Sequence, residues 1–135
     1  MNRQLAALFL LSSLTLPAQD PGAGARFAGT WEARWKDLVI CTIRLKPGTP
    51  PTGETEACSI HVDENGNLQE PEEMDHSGTP TPILNVKLTG DILTFEEKDD
   101  DEVIRFEMRL VGDGKAELRF PGAPVRINPI PFVRR

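Results

Sequence analysis

Residues 84–120 read LNVKLTGDILTFEEKDDDEVIRFEMRLVGDGKAELRF, and the reading of this stretch decides the fold. Apolar residues recur at every second position: Leu84, Val86 and Leu88, then Leu93 and Phe95, then Ile104, Phe106, Met108 and Leu110, then Ala116, Leu118 and Phe120. Period two marks strands with one buried face. Gly90-Asp91, the acidic tip Asp99 to Asp101, and Gly112-Asp113-Gly114 separate the runs and suit hairpin turns. Charge then fixes a register. With Phe106 opposite Phe120 and Met108 opposite Leu118, the outward positions set Glu107 against Arg119 and Arg109 against Glu117. Each such pair contributes about 0.2–1 kcal/mol, and a slip of one residue would lose both.

The same period runs back toward the N-terminus. Phe27, Gly29, Trp31, Ala33 and Trp35 share one face, and Glu32, Arg34 and Lys36 the other. Val39, Cys41, Ile43 and Leu45 alternate next, a turn spans Pro47 to Gly53, and Cys58, Ile60 and Val62 predict the returning strand. Asn65 to Pro82 is acidic and proline-rich and reads as a long loop. Seven strands result, with Val125 to Ile127 as an eighth. Pro129 and Pro131 cannot donate to a ladder, which predicts a C-terminus at a sheet edge or outside the sheet. The expected fold is all-β: an antiparallel up-and-down meander of 7–8 strands forming a small barrel or barrel-like sandwich.

The N-terminus differs in kind. Met1 to Gln4 carry one positive charge, Leu5 to Leu16 form an apolar run, and Leu16-Pro17-Ala18 offers a small residue for cleavage. These are the parts of a signal peptide. The expected organisation is a signal peptide over 1–18, a flexible segment over 19–26, and one β-barrel domain over 27–135. No cysteine near the cut offers a lipid anchor, so the product is expected to be periplasmic or secreted. In an oxidising compartment an even pair of cysteines reads as a disulfide. A turn centred between Thr49 and Pro50 puts Cys41 opposite Cys58, so the pair is expected to bridge adjacent strands of one hairpin.

Gly29-Thr30-Trp31, opening the first strand of a meander, resembles the Gly-x-Trp signature of lipocalins and avidin-like barrels. The resemblance implies that Trp31 plugs the closed end of the barrel. A second resemblance is to the small periplasmic inhibitors of bacterial metalloproteases, carried by Gly29-Thr30-Trp31, Cys41-Thr42-Ile43-Arg44-Leu45 and Ala57-Cys58. It implies that the segment ahead of Phe27 enters a protease cleft. Asp20, Pro21, Gly22, Ala23, Gly24, Ala25 and Arg26 would then form the partner-binding arm. The chain as a whole is also similar to an uncharacterised group of small secreted bacterial β-domains, a likeness that assigns no function.

Several functions are disfavoured by composition. The formal charge is −6 over 135 residues, the wrong sign for nucleic acid or anionic lipid. Beyond the signal segment the serines are Ser59 and Ser77, neither in a Gly-x-Ser-x-Gly elbow. Asp75-His76-Ser77 holds triad residue types in sequence, where they cannot relay to one another. His61 and His76 are too few to anchor a zinc site, and Asp63-Glu64-Asn65-Gly66-Asn67 lacks the spacing of a calcium loop. No catalytic residue, metal or cofactor is expected. The aromatic set Phe27, Trp31, Trp35, Phe95, Phe106 and Phe120 is large enough to fill a small barrel. That places a protein partner, a secreted protease among them, ahead of a small apolar ligand; a structural envelope or accessory role is the third expectation.

Overall fold

The computed structural model describes residues 24–72 and 78–135. Nine antiparallel strands make one nearly closed sheet: β1 (Gly29–Trp35), β2 (Leu38–Lys46), β3 (Thr52–Glu56), β4 (Thr81–Pro82), β5 (Leu84–Thr89), β6 (Ile92–Asp99), β7 (Glu102–Gly112), β8 (Lys115–Arg119) and β9 (Ile130–Arg134). Their order is β4-β3-β2-β1-β9-β8-β7-β6-β5. The two outermost strands, β4 and β5, are consecutive in the chain and separated by Ile83 alone. They act as one bent strand whose first part pairs with β3 and whose second pairs with β6. Ile83 is buried at the bend, and its N–H donates to the Gly53 carbonyl at 3.1 Å. The expected barrel-like meander is therefore the observed architecture.

The C-terminal meander has the register that its charges select. Glu107 pairs with Arg119, Met108 with Leu118, and Arg109 with Glu117. The Arg119 guanidinium also reaches along its own strand to Glu117 at 3.6 Å. Phe106 stacks on Phe95 with centroids 5.0 Å apart and tilts against Phe120 at 5.1 Å. Leu88 faces Leu93 across the Gly90-Asp91 turn as expected. Leu84 does not share that face. A bulge between Leu84 and Lys87, with Asn85 at φ 52°, leaves Leu84 exposed.

Three expectations about the strands need correction. The strand returning from β2 lies over Thr52–Glu56 and not over Cys58 to Val62. Its inward positions, Gly53 and Thr55, face Leu45 and Ile43 but are not apolar, so no hydrophobic alternation announces them. The register is also offset by one: Thr42, not Ile43, faces Glu56. Ala57, at φ 50°, then turns the chain, and Ser59 N–H donates to the Ile40 carbonyl at 2.7 Å. Past that turn the pairing takes the expected register, and the structure joins Cys41 to Cys58. Ile40 itself is the unpaired residue of a β1–β2 bulge and is buried beside Cys41, breaking the alternation of β2.

The last strand is the third correction. Val125 to Ile127 is not a strand, and Pro131 lies within β9, which sits between β1 and β8 and is not an edge. Arg134 N–H donates to Gly114 on the β8 side, whereas Arg135 N–H donates to Thr30 on the β1 side. Alternation turns the Pro131 nitrogen toward β1. The β1–β9 ladder covers only Trp31–Arg134 and Glu32–Val133, so no ladder bond is lost at Pro131.

Candidate functional site

The two ends of the barrel differ. One end gathers the start of β1, the ends of β2 and β9, and the Gly90-Asp91 turn. Trp31 is fully buried there with Phe27, Leu93 and Phe132 in the same core. Its indole N–H donates to the Phe27 carbonyl at 2.8 Å, and the Arg134 guanidinium lies 5.2 Å from the ring centroid. Arg134 also donates from one nitrogen, Nη1, to the carbonyls of Arg26 at 2.9 Å and Ala28 at 3.3 Å. Gly29, at φ 129°, lies under this guanidinium stem. A Cβ there would come within 2.9 Å of Arg134 Cδ, which accounts for glycine at the first position of Gly-x-Trp.

At the other end the aromatic set does not fill the interior. Trp35 and Phe120 are only half-buried, and a cavity of about 700 Å³ opens between the β6–β7 tip and the segment after β8. Ile60, Ile104, Phe106, Phe120 and Ile127 give it apolar walls. Cys58 and Thr81 reach its edge, and Val103 and Val125 line it while staying more than half exposed. Alternation turns Phe27 and Trp31 inward but does not show that they crowd one end, and Phe132, which joins them in the core, stands outside the aromatic set expected from the sequence.

Glu97 is the buried charged residue of this cavity's lining. It is 9% exposed, and the Thr55 hydroxyl donates to its Oε1. Burial pushes its carboxyl above the usual value of 4.5; the Thr55 hydrogen bond opposes this, and the nearby Asp99 charge adds to it. Period two places Glu97 inward beside Phe95, a signal that was present in the sequence and was masked by the acidic run that follows. A carboxyl whose pKa is raised by folding binds its proton more tightly in the folded chain. The stability it contributes is complete below about pH 4.5 and is lost as pH rises through the raised folded value. Glu97→Gln keeps an oxygen for Thr55 but never ionises. Its melting temperature should match that of the native protein near pH 4 and exceed it near pH 8. A native protein that gains on the variant as pH rises would contradict this environment for Glu97.

The remaining sequence candidates fall elsewhere. Asp20, Pro21, Gly22 and Ala23 lie outside the described residues, as do the signal segment and Asp75, His76 and Ser77. Gly24, Ala25 and Arg26 are held on the barrel. Phe27 N–H donates to the Gly24 carbonyl at 3.1 Å, Ala28 N–H to Ala25 at 3.2 Å, and Arg26 pairs with Asp91 at 2.8 Å. A Cβ on Gly24 would come within 2.0 Å of the Gly48 carbonyl oxygen. His61 is half-buried, its Nε2 3.2 Å from Ser59 Oγ. Asp63 Oδ1 accepts from the N–H groups of Asn65 and Asn67, each at 2.9 Å, forming an Asx turn that Asn128 ties to the C-terminal segment. Among the described residues no three or more His, Cys, Asp or Glu side chains are grouped to hold a metal ion. Compared with protein-family models, curated proteins and solved structures, the chain matches none of the three.

Proposed function

We propose that this barrel is an exported, non-catalytic binding protein that holds one small, largely apolar molecule in the cavity at its open end. The observation that carries this reading is the cavity itself: about 700 Å³, with apolar walls and one buried carboxyl. Ligand sites typically span about 300–1,000 Å³ and combine mostly apolar lining with a few polar groups. The reading agrees with the lipocalin-like resemblance, in which the tryptophan of Gly-x-Trp closes one end and the ligand enters at the other. The Cys41–Cys58 disulfide is compatible with an oxidising, exported location. It also occupies the one cysteine of the cavity lining.

The neutral fluorescent probe N-phenyl-1-naphthylamine tests this directly. Saturable binding with a stoichiometry near one is expected. Ile104→Trp, which fills the cavity from β7, should weaken it by about tenfold or more, equivalent to at least ~1.4 kcal/mol. Circular dichroism checks that the variant is folded. Absence of saturable binding, or binding indifferent to Ile104→Trp, would rule the cavity out as the site.

A protein partner is the second reading, favoured by Val103 and Val125 at 57% and 59% exposure on the rim of the same mouth. Cross-linking from this rim to a partner protein, together with failure of the probe titration, would place it first.

A further inference from the structure

The cavity has a sign. On β6, alternation puts Phe95, Glu97 and Asp99 on the inward face; on β7 it puts Glu102, Ile104 and Phe106 there. The ladder runs without a shift, so Glu97 faces Ile104 and Asp99 faces Glu102 directly. Lys98 and Arg105 also line the cavity, from the opposite parity that Val103 shares, so the lining carries three carboxyls against two cations. Arg105 is engaged there, its Nε 3.3 Å from Glu96 Oε2. The lining residues from the other elements, from Cys58 to Thr81 and from Phe120 to Ile127, are all uncharged. The lining is therefore acidic in balance: Glu97 is buried within it, and Asp99 and Glu102 share its parity at the exposed mouth.

This arrangement carries an electrostatic cost. A carboxyl among apolar walls loses hydration unless a partner replaces it. The Thr55 hydroxyl occupies Oε1 only, leaving Oε2 as the oxygen offered to a ligand. Like charges directly opposite on a ladder, as at Asp99 and Glu102, repel. One group relieves both penalties.

We propose that the polar end of the ligand is a cation: an amphipathic amine whose ammonium pairs with Glu97 while its apolar body lies against Ile60, Ile104, Phe106 and Phe120. The inference rests on the ligand-binding reading above and names the class of molecule that site takes. An ammonium brings three donors and a positive charge to Glu97, whose bonded partner is the neutral Thr55 hydroxyl while Arg105 is held by Glu96. Asp99 and Glu102 at the mouth, and a formal charge of −6 on the whole chain, draw cations toward it and repel fatty-acid-like anions.

Three molecules with one tail decide the matter: octylamine, octan-1-ol and octanoate, titrated calorimetrically at neutral pH. Octylamine should bind at least about tenfold more tightly than octanol, and octanoate most weakly. Glu97→Gln should shrink the amine-over-alcohol preference by most of that factor. Equal affinities, a preference for octanoate, or an amine preference that survives Glu97→Gln would overturn the inference. Should the variant fold poorly, the ranking on the native protein decides alone. N-phenyl-1-naphthylamine separates the two levels. If the probe binds and the octyl series shows no amine preference, the cationic ligand is wrong and the cavity reading stands; if neither the probe nor any octyl compound binds, the cavity reading falls.

Discussion

Trp31→Ala should destabilise the barrel by about 3–5 kcal/mol, the largest effect expected of any single substitution here. Three losses combine. The indole is fully buried, so its removal leaves a cavity that the surrounding strands cannot close completely. The Phe27 carbonyl loses the N–H that reaches it at 2.8 Å. Arg134, positioned over the ring, loses its aromatic face while still bound to the Arg26 and Ala28 carbonyls. Trp31→Phe divides the effect: it retains a ring but no donor, and should cost about 1–3 kcal/mol from the unsatisfied carbonyl and the smaller volume. Urea unfolding of both variants measures the difference. A Trp31→Ala protein as stable as the native one would show that this end is not held by the tryptophan.

The second large effect is expected from Cys41→Ala combined with Cys58→Ala. The disulfide closes a loop with a sequence separation of 17, which limits the unfolded chain by about 3 kcal/mol in the chain-entropy account. The melting temperature should fall by on the order of 10 °C. Because the bridge lies beyond the turn at Ala57, the strand pairing of β2 with β3 does not depend on it, and the barrel should still fold at low temperature. A loss below ~0.5 kcal/mol would mean that the unfolded chain is already constrained there.

The legible parts of this fold were those where packing and sequence period coincide. Residues 84–120 declare their strands because Leu93, Phe95, Phe106, Met108 and Leu118 all bury on one side, with opposed charges on the other. β3 was not legible because Thr55, its buried inward residue, is polar and is retained by its bond to Glu97. β9 was not legible because a proline in a strand counts against the assignment, and only the shortness of the β1–β9 ladder makes Pro131 harmless. The disulfide pairing was reached although the register of β3 was not: the turn at Ala57 restores at Cys58 the offset that the strand lacks. For the candidate site, the sequence named the aromatic residues but not their uneven distribution. Volume is a property of where side chains meet, and alternation alone does not carry it.

The pairing of β9 with β1 sets an order for assembly. β1 is the first of the nine strands to be made and β9 the last, yet they are neighbours in the finished sheet. A chain that has made β8 but not β9 presents β1 and β8 as two open edges with free hydrogen-bonding groups. Ring closure is thus the longest-range event in folding, and it carries the greatest loop-closure entropy. A nascent chain can form the β6–β7–β8 hairpins early and must wait for Ile130 to Arg134 before it becomes a barrel. Up to that point the unpaired groups of β1 and β8 are the surfaces on which chains can pair with one another.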